Sequence, residues 1–317
     1  MAPLRAIQIR CAWRVFFSCS CPAREKPGKM GVAESREGEK LMEPFQIVAQ
    51  TDTLRLNGWE QRCPGLVAGF TLRSGGLSEV PYDSLNLGLH VGDNPDHVRK
   101  NRQVVCRQVG FDFEAWTCGE QVHGTAVEQV TDAQRGSGRE RADRAIPAVD
   151  GLYTDKAEIL LTSYYADCIP LYVLDPQKRV IGLAHAGWKG TVGRIAAVML
   201  RALEESYGCK PDELLVAIGP SIRGCCYEVD EKVMEHVRGS TANWKQSVQP
   251  GGDGRYMLDL AELNQQILIE SGVPSSHISR SNYCTACNGK LFFSHRRDKG
   301  RTGRMASFIG WKAKGVE

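Results

Sequence analysis

The sequence predicts a mixed α/β fold, and two observations carry the prediction. Apolar, β-branched runs of four to six residues end in turn residues, as buried strands do. Among them stand segments of helical period, two of them closed by glycine, and the two kinds of element do not alternate strictly. Intermixing of this sort favours a layered mixed sheet over a doubly wound parallel one.

The elements follow in order. Asp96 to Val109 places Val98, Val104, Val105 and Val109 among charged residues and meets Gly110, a helix with a stop signal. The polar stretch Asp132 to Asp143 reads as an exposed loop. The runs Ile159 to Tyr164, Leu171 to Leu174, Val180 to Ala184 and Leu214 to Ile218 read as buried strands. Between the last two, Arg194 to Tyr207 sets Ile195, Val198, Met199, Ala202 and Leu203 on one helical face, and Gly208 tolerates the left-handed turn that ends it. Asp259 to Ser271 is a further helix with the aspartate as N-cap, and His277 to Tyr283, after Pro274, reads as a strand.

Composition bounds the function. Hydrophobic residues make up 42% and charged residues 24% of 317, the balance of a globular protein with a sizeable core. Net charge is +3, but residues 1–41 hold eight Lys/Arg against four Asp/Glu, so the body is close to neutral. A near-neutral body without a basic stripe points away from nucleic acid. No apolar stretch is long enough to span a bilayer, and twelve scattered cysteines in a large chain suit a reducing, cytoplasmic setting. Residues 1–41 lack any period and read as a disordered tail, or as sequence upstream of a start at Met42 or Met30. Residues 42–317 read as a single catalytic domain.

Polar residues gather where strands end: Gln121-Val122-His123-Gly124, Asp150-Gly151, Ala166-Asp167-Cys168 and Ala184-His185-Ala186-Gly187-Trp188. A thiolate with two imidazoles suits zinc, and glycine beside histidine lets a metal approach the backbone. Separations of 45 and 17 residues do not decide the matter, since taken alone Cys168 reads more readily as a core thiol and each histidine as a residue that caps or hydrogen-bonds a loop.

The strings QVHG, DGLYTD, ADCIPLYVLDP, GLAHAGWKGT and AIGPSIRGCCYEV occur in this order, flanked by RSGGLSEVPYDSLNLGLHVGD and SNYCTACNGKLFFSHRRDKGRTGRMASFIGW. Together they resemble the laccase-domain, or multicopper polyphenol oxidase-like, family, whose members are described as purine nucleoside phosphorylases. The resemblance spans about residues 45–312. It implies a three-layer architecture with a mixed β-sheet, similar to a cysteine-hydrolase-like fold, and zinc held by His123, Cys168 and His185. It also implies phosphate-dependent cleavage of adenosine, inosine, guanosine and methylthioadenosine, together with adenosine deamination. Purine nucleosides and phosphate are then the expected partners.

Within the matched strings, Asp167 is a candidate for orienting water or accepting a proton, and His295 for a catalytic role. Arg73, Asn86 and Arg296 are candidates for binding substrate, the arginines through paired hydrogen bonds to phosphate. His90 borders this group or serves structure, Trp188 is left unassigned, and Lys299 and Arg301 read as surface charge. Cys284-Thr285-Ala286-Cys287 supplies only two ligands, and Cys225-Cys226 would face opposite ways on a strand, so both pairs read as packing residues. Three alternatives stand beside the zinc enzyme. Copper could occupy the site in a phenol oxidase, Cys168 could act as a metal-free nucleophile with His185 as base, or zinc could be purely structural. Seven histidines are few for a multicopper centre.

Overall fold

The computed structural model describes residues 43–48 and 51–313, so the expected tail at 1–41 lies outside the described residues. In chain order, β1 (Gln46–Val48), β2 (Thr53–Arg55), α1 (Asn57–Arg62) and β3 (Leu66–Thr71) lead to α2 (Pro95–Val109). Next come β4 (Trp116–Cys118), β5 (Val127–Gln129), β6 (Gly151–Thr154), β7 (Leu160–Tyr165), β8 (Ile169–Asp175) and β9 (Val180–Ala186). Helices α3 (Trp188–Val192) and α4 (Ile195–Tyr207) precede β10 (Leu215–Ile218), β11 (Glu228–Val229) and α5 (Glu231–Val237). The remaining elements are β12 (Val248–Pro250), β13 (Tyr256–Leu258), α6 (Leu260–Glu270), β14 (Ile278–Arg280) and β15 (Met305–Trp311).

The α/β class and the mixed pairing are as the sequence implied, but there are two large sheets where one was expected. One runs β1-β2-β3-β15-β7-β4, the other β14-β10-β8-β9-β6-β5, and a small sheet runs β11-β13-β12. Parallel pairs, β4 with β7, β5 with β6 and β10 with β14, sit among antiparallel ladders. The doubling follows from strands that are apolar on both faces. In β7, Leu161 and Tyr165 join one core, while the alternate residues Leu160 and Tyr164 join another. The first core lies between the sheets, where Phe70, Met305 and Ile309 meet Tyr172, Leu174 and Leu183. Outside the first sheet, Val105, Cys106 and Val109 of α2 cover Leu160 and Phe308. Outside the second, Ile195, Met199 and Leu203 of α4 and Leu263 and Ile267 of α6 cover Leu171 and Val173. Each such fully buried aliphatic or aromatic side chain contributes roughly 1.5–3 kcal/mol, which is why one-sided polar patterning is absent from these strands.

Local signals behave as their chemistry requires. Asn94 caps α2 by accepting from the Asp96 N–H, and Gly110 closes it at φ 74°. The Asp259 carboxylate accepts from the Ala261 and Glu262 N–H groups, the expected N-cap of α6. The strand expected at 277–283 shortens to Ile278–Arg280, after which the chain touches Ser221 by a single bridge at Cys284 and turns. The stretch 132–143 is not wholly exposed. Gly138 is buried, and a Cβ there would lie 2.4 Å from the Cys118 Sγ. Among the described residues no helix is long and apolar enough to cross a membrane.

Candidate active site and metal centre

The strand ends singled out by the sequence converge. His185 lies one residue before the end of β9, opposite Pro170 of β8, which sets Cys168 just beyond the same edge. His123 comes from the connection between β4 and β5, and Asp150 immediately precedes β6. The donor atoms of His123, Cys168 and His185 all lie within 4.8 Å of one another, with the Cys168 Sγ 4.0 Å from the His123 Nε2.

Asp150 organises this cluster. Its carboxylate accepts the successive backbone N–H groups of Val122 (3.1 Å), His123 (3.0 Å) and Gly124 (2.7 Å). It also sits 2.8 Å from the His185 Nδ1. The first three bonds hold His123 at φ 60°, a left-handed conformation that costs a non-glycine residue roughly 1–2 kcal/mol. The fourth places the imidazole proton on Nδ1 and turns the Nε2 lone pair toward Cys168 and His123, the usual arrangement behind a metal-binding histidine. Burial works to raise the Asp150 carboxyl, but the His185 hydrogen bond and the Gly124 N–H outweigh it and hold it below its ordinary range.

Charge inside the cluster is shared. Burial opposes ionisation of Cys168, yet the adjoining His185 charge and hydrogen bonds from both histidines bring the thiol down to about 6. Burial likewise opposes charge on His185, and the Cys168 thiolate and Asp150 carboxylate overcome it, raising the imidazole to about 9. Gly187 keeps the approach open, since a Cβ there would lie 2.8 Å from the His123 Cδ2 and 3.3 Å from the Cys168 Sγ.

The donor set fits a metal ion. Two imidazoles and one thiolate suit an ion of zinc's class, and the cluster opens on one side to a cavity of about 830 Å³, which leaves a coordination position for an exogenous ligand. Cationic and aromatic groups share the cavity wall, among them His90, Arg296, Arg304, Tyr164, Trp188 and Tyr227. Burial, then the charges of Arg304 and Arg102, push His90 down to about 4, so it faces the cavity as a neutral imidazole at pH 7. Burial also lowers Arg304, a desolvation that an incoming anion would offset.

The other sequence candidates divide. His295 and Arg296 line the cavity, the Arg296 guanidinium lying 4.8 Å from the Tyr227 ring and donating to the Glu228 carbonyl at 2.9 Å. Asp167 lines it too, at φ 95°, but its carboxylate oxygens accept from the Thr285 hydroxyl (2.6 Å) and the Arg296 N–H (2.7 Å). These two bonds tie the turns that carry Thr285 and Arg296 to the strand end beside Cys168, alongside the role expected of Asp167 in orienting water or accepting a proton. Arg73 and Asn86 do not reach the cavity. The Arg73 guanidinium donates to the Asp83 carbonyl (3.0 Å) and the Gly289 carbonyl (3.0 Å) and lies over Phe293. Asn86 is buried, bonded to Asp93, Gly88 and the Arg304 N–H. These bonds hold their matched string to the scaffold, and neither residue is among those lining the cavity, although both were expected to bind substrate.

Two features escaped the sequence reading. Asp150 was visible only as a polar strand-end residue, and nothing local announces that it accepts four hydrogen bonds. The cysteine pairs were taken for packing, yet Cys225 and Cys226 lie in a turn, with the Cys226 N–H bonded to the Arg223 carbonyl at 2.9 Å. On a turn, adjacent side chains can face the same way, and here both meet Cys287.

Comparison with known proteins agrees with this geometry. The family described as multi-copper polyphenol oxidoreductase laccase matches residues 67–312. The chain belongs to this family. It is 46% identical over 251 residues to a protein of Geobacillus stearothermophilus named purine nucleoside phosphorylase YlmD, covering 78% of this chain and 90% of that one. A Bacillus subtilis protein of the same name is 42% identical over 272 residues, with 85% and 98% covered. The crystal structure of YlmD from Geobacillus stearothermophilus superposes with a TM-score of 0.83 at 44% identity, covering 86% of this chain and all of that one.

Proposed function

We propose that this chain is a zinc-dependent purine nucleoside phosphorylase, with residues 42–317 acting as one catalytic domain and His123, Cys168 and His185 holding the metal. The observation that carries the reading is a three-donor cluster at the edge of a cavity large enough for a nucleoside and lined by arginines. Relatives named purine nucleoside phosphorylase at 46% and 42% identity support the substrate class. Zinc bound there would supply Lewis acidity, polarising an oxygen or leaving group.

In phosphorolysis the C1′–N bond breaks, a phosphate oxygen bonds to C1′, and the departing purine takes up a proton. Arg296 and Arg304 bind the phosphate, and His295 serves the proton transfer. Tyr227 and Trp188 offer aromatic surface to the base. Asp167 positions the backbone at Arg296 and the adjacent Cys168. Adenosine, inosine, guanosine and methylthioadenosine are the proposed substrates. Deamination of adenosine is the second proposed activity at this cavity: water bonds to C6 of the purine, and the C6 amino group leaves as ammonia.

A second reading rests on one alignment. Asp150, His185 and Cys168 also form a carboxylate–imidazole–thiolate series, the order of a cysteine nucleophile with its base. Chelation separates the two. The metalloenzyme loses adenine release from adenosine and phosphate when stripped and regains it with zinc. A cysteine hydrolase gains activity when its thiolate is uncovered.

A further inference from the structure

Outside the active-site cluster, the described residues hold one other group of soft donors. The turn at residues 223–227 and the turn at residues 284–288 bring together Cys225, Cys226, Cys284 and Cys287, whose sulfurs all lie within 4.8 Å of one another. The Cys287 Sγ is 3.6 Å from that of Cys225 and 3.4 Å from that of Cys226. A zinc ion bonded to four thiolates at about 2.3 Å sets them on tetrahedral edges of about 3.8 Å, so the spacing needs little adjustment. Covalent S–S bonding, at about 2.05 Å, would require these sulfurs to close up considerably.

Three further observations separate this cluster from packing. Cys63, Cys106, Cys118 and Cys209 are buried, as packing thiols are, whereas here only Cys284 is buried and Cys225 is exposed. Arginine and main-chain hydrogen bonds also hold the turns. Arg297 donates to the Thr285 carbonyl at 3.0 Å, Arg223 donates to the Ser281 carbonyl, and the Asn288 N–H bonds the Cys284 carbonyl at 3.1 Å. The Cys284 sulfur also receives donors suited to a thiolate. The Cys225 thiol and the backbone N–H groups of Arg223 and Cys287 donate to it.

We propose that Cys225, Cys226, Cys284 and Cys287 bind one divalent ion of zinc's class as a closed four-thiolate site, which clamps one wall of the active-site cavity. The thiols lose their protons to solvent as the metal binds. The clamp acts through neighbours in the chain. Cys226 adjoins Tyr227, which lines the cavity, and Cys284 adjoins Thr285, whose hydroxyl donates to Asp167 at 2.6 Å. The metal therefore holds Tyr227 and Asp167 in place without touching substrate.

The test is elemental analysis of the full chain purified under reducing conditions, with the two sites emptied separately. Wild type carries two equivalents of zinc. His123→Ala loses one and retains the other, and Cys284→Ser with Cys287→Ser does the reverse. Cys225→Ser, at an exposed position, repeats the second result should the double variant not fold. Cobalt exchanged into His123→Ala then shows an intense sulfur-to-metal charge-transfer band that Cys225→Ser abolishes. One equivalent in wild type, unaltered by the cysteine substitutions, overturns the proposal. So does a thiol count two short in denatured, metal-free protein never exposed to reductant, which would assign a disulfide instead. Because the metal retained by His123→Ala is read without turnover, this outcome is independent of the phosphorylase reading.

Discussion

Two clusters of residues whose side chains could hold a metal ion differ in donor number and in what surrounds them. Cys168 and His185 stand at strand ends and His123 in the β4–β5 connection, all facing a cavity of about 830 Å³, with Asp150 behind them and Gly187 leaving space in front. Cys225, Cys226, Cys284 and Cys287 stand on two turns pinned by Arg223 and Arg297. Three donors beside a cavity leave room for chemistry, whereas four donors on turns leave none. On the proposed reading, the same soft-ligand vocabulary yields a reactive centre or a fastening, according to whether the last coordination position is given to solvent or to protein.

Substitution at the open cluster should have the largest effect. Cys168→Ala is expected to reduce kcat/KM for phosphate-dependent cleavage of adenosine on the order of a thousandfold, about 4 kcal/mol of transition-state stabilisation. Activity within tenfold of wild type would make the two clusters functionally alike. Asp150→Asn keeps the shape but removes the charge that orients His185. Competition with a chromophoric chelator should show zinc affinity at the open site falling about 10- to 100-fold, with the four-cysteine site unaffected. An unchanged affinity would sever Asp150 from the metal centre.

The charge state of Cys168 gives a sharper test of the same cluster. In metal-stripped protein its thiol titrates at about 6, so alkylation should be slow below that pH and reach its plateau near neutrality. An ordinary cysteine becomes reactive only as pH approaches about 8.5. Zinc should suppress the reaction, and a midpoint above pH 8 would contradict the histidine–thiolate pairing. Further down the scale, Thr285→Val breaks the hydrogen bond to Asp167 that links the two clusters. It should cost roughly 1–2 kcal/mol of stability in denaturant titration and lower kcat several-fold without changing zinc at the open site. The smallest effect separates two arginines. Arg296→Lys should raise KM for phosphate about tenfold, and Arg73→Lys should leave it unchanged while lowering the melting temperature, since only Arg296 lines the cavity.

Legibility in the sequence followed the range of the interaction. Helices α2, α4 and α6 were readable because caps and glycines act within a turn of the chain, as Asp259 and Gly110 do. Strands β7 to β10 were readable as apolar runs, but their continuous hydrophobicity conceals which core each face joins, so the second sheet was missed. Strands β1 and β2 are three residues each, too short to show a period, and the closing strand β15 depends on partners distant in sequence, so period alone assigned none of them. At the site, His123, Cys168 and His185 came from the resemblance and from polar residues at strand ends. The cysteine turns were misread because the rule applied to Cys225 and Cys226 holds for strands. Arg73 and Asn86 lay in a matched string and make their bonds away from the cavity, a placement that burial and bonding partners reveal and residue type does not.

The most direct test is reconstitution. The chain is stripped of metal, zinc is added back in increments, and adenine released from adenosine in phosphate is measured against zinc bound. The account predicts negligible release from stripped protein and a linear rise that saturates when the His123, Cys168 and His185 site is filled, with no rise in His123→Ala. Cleavage by the stripped chain at the rate of the loaded one would contradict it.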